Sequence, residues 1–217
     1  MITFYALPLS AYCTKVRIVL RIKRVPFDES IPDGGHYSSD AYRRHMPPGS
    51  IPAIEEGEFK LFDSEAIVEY LEDVYPEVSM RAVEPKQRAR QRALAQFHNT
   101  RIEPRVRTLF PIVKGSKEQR DKDVVTEALA AFNAELDKLD NLIQPEPFIG
   151  GTHPCLADCG FPATIRMGQD VLEELGSELK LNSKIEDWLA AMESHPVIGE
   201  EVNKNRLAVN EWVRQYR

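Results

Sequence analysis

The chain has 217 residues, 42% hydrophobic and 29% charged, with a formal net charge of -6 and three cysteines. That length fits one large domain or two small ones and can bury a full core, while the acidic balance argues against nucleic acid and anionic membrane surfaces as partners. No apolar run approaches the roughly 20 residues of a spanning helix and the N-terminus lacks the order of a signal peptide. The odd, sparse set Cys13, Cys155 and Cys159 implies no disulfide framework, so a cytoplasmic location is expected.

Residues 2 to 6 form a short β-rich run. The next segment carries Cys13, Val16, Val19 and Leu20 at helical spacing, with Lys15, Arg17, Arg21 and Lys23 largely on the other side, which predicts strand then helix. "VPFDESI" reads as a second strand, "DGGHYSS" as a loop and "SDAYRRH" as a short helix stopped by "MPPGS". In "AIEEGEFKLF", two strands flank a turn at Glu56-Gly57; "SEAIVEYLEDV" then places Ile67, Tyr70, Leu71 and Val74 on one helical stripe. The predicted order is βαβαββα.

After Tyr75-Pro76 the strand signals stop. Residues 85–110, 117–143, 156–175 and 182–194 have helical periodicity, so a small α/β domain is followed by an all-helical one. The irregular, proline-flanked "YPEVSMRAVEP" between them reads as a linker.

A strand entering the turn "SAYC" (10–13), a helix leaving it, and a proline after a β-branched residue in "SIPAI" (50–54) are parts of a thioredoxin-type fold. Here the chain resembles the cytosolic glutathione transferase superfamily, with "SAYCTKVRIVL", "PPGSIPAI", "FDSEAIVEYLEDVYP", "FIGG", "LADCGFPA" and "IEDWLAAMESHP" in the family's order and spacing. Within it, "DGGHYSSDAYRRHMPPGSIPAI" runs without a gap against the zeta-class pattern, and "SAYC" sits where that class has its serine-serine-cysteine turn.

The resemblance implies a thioredoxin-like glutathione-binding domain over 1–78 and an all-helical domain over 84–217 lining the electrophile site. It implies glutathione as cosubstrate and no metal, with Ser10, Ser50, Ile51, Pro52, Asp63 and Ser64 as binding residues and Ser10 as the catalytic one. The backbone of Ile51, before a cis Pro52, would pair with the cysteinyl part of the ligand like an added strand. Ser64 opens a helix whose first N–H groups and dipole suit the γ-glutamyl carboxylate, with Asp63 facing the ammonium. Both residues also read as ordinary helix-capping residues. A ligand thiolate beside Ser10 gains a hydroxyl hydrogen bond and the favourable end of the first helix, so Ser10 need not itself be a nucleophile. Its plainer role is an N-cap. The tyrosine-type classes carry their phenol where this chain has Ala6; Tyr5 is one residue off and should face the other way.

Some positions depart from the family. Its late capping box, Ser or Thr, two residues, then Asp, here reads Cys155-Leu156-Ala157-Asp158; Asp158 is expected to bond back to the first N–H, leaving the helix less well capped. Cys155 and Cys159 read as buried helix cysteines rather than a metal pair. The zeta-class isomerases place a carboxylate-binding arginine on the helix after that box; only Arg166 lies nearby, out of register, which counts against maleylacetoacetate isomerisation. Of the basic run from Arg81 to Arg107, most are expected to form a solvated face; in the family the first long helix of the second domain borders the substrate cleft, so the resemblance implies that one or two of Arg101 and Arg105 meet an anionic substrate.

The reading is a glutathione transferase acting on a small electrophile, as a homodimer, with isomerase or dehalogenase activity within the family's range. The rivals are a glutathione-dependent thiol–disulfide reductase using Cys13 and a binding module with the same fold and no turnover.

Overall fold

A computed structural model describes residues 1–116 and 120–216. The chain divides into two compact units, Met1–Met80 and Arg81–Arg217. The first contains β1 (Ile2–Tyr5), α1 (Ala11–Ile22), β2 (Phe27–Ser30), a 3-10 turn at Asp33–Gly35, α2 (Asp40–His45), β3 (Ala53–Glu56), β4 (Phe59–Phe62) and α3 (Ser64–Val74). The βαβαββα order is therefore the observed one. The strands form one sheet in the order β2-β1-β3-β4, with β2 parallel to β1 and the other pairs antiparallel.

Strand alternation divides the sheet into two faces. Phe4 and Ile54 pair on one; there Arg17 of α1 lies over the Phe4 ring and α1 packs beside α3. Tyr5 and Ala53 pair on the other, covered by Tyr42 and Met46 of α2 and flanked by Tyr37 and Ile51. The apolar residues of α1, Cys13, Val16, Val19 and Leu20, are fully buried.

The basic residues of α1 are buried too, apart from the partly exposed Arg21, because carboxylates from other elements meet them. Arg17 forms a two-point pair with Glu29, and Lys15 bonds Glu65. Lys23 bonds Glu72 at 2.9 Å and the Val78 carbonyl at 2.7 Å. Glu72 also accepts from Ser79 Oγ and Met80 N, which ties the end of the first unit to α1 and α3. This shifts the buried stripe of α3. Val68 and Glu72 are buried beside Ile67 and Leu71, whereas Tyr70 reaches Glu56 and Val74 is 45% exposed.

The second unit is helical: α4 (Pro85–Phe97), a π-turn at His98–Ile102, α5 (Glu103–Lys114), α6 (Lys122–Leu142), α7 (Phe161–Glu174), α8 (Ser183–Ser194) and α9 (Pro196–Arg214). The helix expected over 85–110 is broken by the π-turn and runs on to Lys114. Of the stretch expected from 117, residues 117–119 lie outside those described. The helix expected from 156 starts at Phe161, with Gly160 as its N-cap, because Cys155 to Asp158 form a preceding turn. The box therefore does not cap α7. Asp158 does accept the Cys155 N–H at 2.8 Å, but it also takes Ile149 N, Gly150 N and the Trp188 indole N–H, tying the "FIGG" loop, the turn and α8 together. Cys155 and Cys159 are buried, in this turn rather than in a helix. Among the described residues no helix is long and apolar enough to cross a membrane.

Candidate functional site

The sheet register gathers the expected site residues of the first unit. Tyr5, Ala53 and Phe62 pair across β1, β3 and β4 as one row. The chain leaves β1 after Tyr5, enters β3 at Ala53 and leaves β4 after Phe62, so the segments bearing Ser10, Ser50–Pro52 and Asp63–Ser64 all emerge from the same end of the sheet.

Ser10 is the N-cap of α1: its backbone is extended, and its Oγ accepts the Cys13 N–H at 3.3 Å. Ser10 is 8% exposed, and its oxygen retains a hydrogen to donate. Cys13 lies inside the first turn and is fully buried. Burial pushes its thiol up to about 11, against a smaller lowering by the Ser10 hydrogen bond. At neutral pH it is a thiol, not a thiolate, so the geometry counts against Cys13 as a nucleophile.

The Ile51–Pro52 peptide is cis. β3 begins only at Ala53, and among the described residues no hydrogen bond uses the backbone N–H or C=O of Ile51. The turn is held from behind, since Tyr42 Oη donates to the Ser50 carbonyl at 3.1 Å. Pro52 is buried and Ile51 half-buried. An extended peptide has a free backbone donor and acceptor to meet here.

Asp63 precedes α3 with φ 67° and ψ 122°, an unfavourable conformation for a residue with a Cβ. Its exposed carboxylate makes no capping bond to α3, so it is not the ordinary cap that its position suggests. Ser64 is the first residue of the helix and is 6% exposed. Behind it lies Lys15, 1% exposed, whose Nζ donates to Ser64 Oγ at 3.4 Å and to the Glu65 carboxylate. Sequence spacing assigned Lys15 only to the far side of α1; a contact across 49 residues leaves no local signal.

Tyr5 is occupied elsewhere. Its hydroxyl donates to Glu55 at 3.0 Å and lies 3.0 Å from His45 Nε2, which is itself 2.7 Å from the same carboxylate oxygen. Lys60 donates to His45 Nδ1, which places the ring proton on Nε2, facing Glu55. Burial and then Glu55 push the Tyr5 phenol up to about 12. Burial opposes ionisation of Glu55, but the His45 and Tyr5 bonds prevail and hold it below the usual carboxylate range.

In the second unit, Arg166 is nine-tenths buried and saturated by Glu186, Glu193 and Gln169, so it is committed to α8 and is no carboxylate receptor. Arg105 pairs with Glu135 at 3.4 Å, and Arg101 is exposed. Among the described residues no group of three or more metal-ligating side chains comes together.

The family model described as the glutathione S-transferase N-terminal domain matches residues 4–79. The chain is 38% identical to a maleylacetoacetate isomerase of Pseudomonas aeruginosa over 97 residues, 42% of this chain and 45% of the isomerase. It is 31% identical to a stringent starvation protein A homolog of Coxiella burnetii over 73% of this chain and 72% of that protein. It is 33% identical to human glutathione S-transferase theta-1 over 69% and 66%. The solved structure of human glutathione transferase theta-2, in complex with glutathione, superposes with TM-score 0.84 at 19% identity, over 100% of this chain and 90% of that one.

Proposed function

The chain belongs to the cytosolic glutathione transferase superfamily, and we propose that it binds glutathione at the end of the sheet and joins it, through its sulfur, to a small electrophile. The observation that carries the reading is the Tyr5–Ala53–Phe62 row, from which three ligand-type segments emerge together. Each suits one part of the tripeptide. The backbone of Ile51, beside Ser50 and Pro52, pairs with the cysteinyl residue. The start of α3 at Ser64 takes the γ-glutamyl carboxylate, and Asp63 takes the adjacent ammonium.

Ser10 then faces the sulfur. Its O–H donates to the thiolate while its oxygen still accepts from Cys13 N–H, and the N-terminus of α1 favours the negative charge. Each unit of pKa lowering requires about 1.4 kcal/mol of preference for the thiolate, and a charge-assisted hydrogen bond of about 1.5 to 3 kcal/mol supplies one to two units. The thiolate attacks the electrophilic carbon, a C–S bond forms, and the leaving group departs with its electron pair. No residue of the chain becomes covalently bound. A cytoplasmic homodimer is the setting and assembly that go with this reading.

Calorimetric titration with glutathione and a turnover screen over aryl halides, epoxides, disulfides and cis-enones test it. The rival reading is a transferase-fold binding protein without turnover, because a fold alone does not establish catalysis. It predicts no product from any of these electrophiles.

A further inference from the structure

We propose that Lys15 is a positioning residue of this site: its buried ammonium fixes the Ser64 oxygen as an acceptor, so that the Ser64 O–H is left to donate to the carboxylate of the ligand. The proposal rests on the glutathione-binding reading above and concerns how that reading's anion end is selected.

A lysine 1% exposed is rare unless its charge is paired, and Glu65 pairs it. Charge pairing alone does not account for the second contact, from Nζ to Ser64 Oγ at 3.4 Å. An ammonium has three donors and no acceptor, so at this contact the hydroxyl oxygen must accept. Its hydrogen then needs somewhere to go. Ser64 is 6% exposed, and among the described residues no acceptor takes that hydrogen. A buried donor left without an acceptor is unfavourable. The direction left to it is outward, past the start of α3, the end of the helix that favours an anion.

Every polar hydrogen at that spot is thereby a donor. A freely rotating serine accepts as readily as it donates, and so receives an ammonium or an amide N–H as well as an anion. With Lys15 behind it, one lone pair of Ser64 is taken and its hydrogen is turned outward, which favours an acceptor over a second donor. Because Glu65 neutralises Lys15, the preference comes from hydroxyl orientation rather than from net charge.

The test compares four proteins: the unaltered chain, Lys15→Met, Lys15→Met with Glu65→Gln so that no carboxylate is stranded, and Lys15→Arg. Each is titrated with glutathione and with 4-aminobutanoyl-cysteinylglycine, which lacks the α-carboxylate, after circular dichroism has established that it is folded. The expected result is a Kd and KM for glutathione raised about tenfold in both methionine variants. The kcat at saturation stays within about twofold. Lys15→Arg restores affinity, and the analogue without the α-carboxylate binds all four proteins alike. A folded double variant with unchanged affinity for glutathione overturns the role of Lys15. So does an equal loss for glutathione and the analogue, since that is what general loosening of the site produces. No saturable binding by the unaltered chain overturns the underlying reading together with this one.

Discussion

Ser10 Oγ accepts the backbone N–H of Cys13 at 3.3 Å, so within "SAYC" Ser10 caps the first helix while Cys13 lies inside its first turn. Ser10 stands at the mouth of the first helix, and Cys13 is sealed beneath it among Val16, Val19 and Leu20.

Ser10→Ala is expected to leave glutathione affinity nearly intact, raise the pKa of the bound thiol and lower kcat, the pattern of an interaction favouring the thiolate. Loss of the cap should also destabilise the fold by about 1 kcal/mol. Thermal unfolding and steady-state kinetics on the same preparation separate the two effects: a variant with the lower Tm and full kcat makes Ser10 a cap only.

For Cys13, slow alkylation at neutral pH and unchanged turnover of Cys13→Ala are expected. The thiol is held up at about 11 in the folded chain, against an ordinary value of 9.0. Its folded pKa lies above its unfolded one, so between those pH values the native state holds the proton that the unfolded state has lost. Its contribution is thus fully present below pH 9 and disappears as pH rises toward 11. Cys13→Ala should reduce the alkaline loss of stability in that window by about 2 kcal/mol at most. Denaturant melts at pH 8 and pH 11 measure it; an identical alkaline loss in both proteins removes Cys13 as a contributor.

Asp63 combines an exposed carboxylate with a backbone at φ 67°. Asp63→Gly relieves that conformation, so Tm should hold or rise by the equivalent of about 1 kcal/mol. Glutathione affinity should fall by about 1 to 3 kcal/mol, because the ligand's ammonium loses its partner. Unchanged affinity by calorimetry would take Asp63 out of the site.

Tyr5→Phe should leave kcat and KM unaltered while destabilising the chain by about 1 kcal/mol, because its hydroxyl serves Glu55 and His45. A drop in kcat of tenfold or more would instead mark a tyrosine mechanism.

Elements with strong local signals were legible in the sequence. The βαβαββα order follows from alternation and helical spacing, and Ser10, read as an N-cap, makes the capping bond to Cys13. α9 was missed because its buried face includes Glu201 and Asn205, which interrupt the apolar period that Ile198, Val202, Val209 and Val213 otherwise mark. Lys15, Arg17 and Lys23 were read by their chemistry and so placed away from the apolar face; their burial depends on Glu65, Glu29 and Glu72, each distant in sequence. The site segments were found by motif. Their convergence at one sheet end depends on register, which pairs Tyr5 with Ala53 and Ala53 with Phe62 and is invisible to a local pattern.

A pH titration of glutathione in complex with the chain, following the ultraviolet absorbance of the thiolate, tests directly whether the sheet end and Ser10 hold that thiolate. Saturable binding is expected, with the bound thiol titrating at least one unit below the value of about 8.5 for a free thiol, and with that lowering diminished in Ser10→Ala. A bound thiol that titrates at the free value, or a chain that takes up no glutathione at millimolar concentration, would contradict the account.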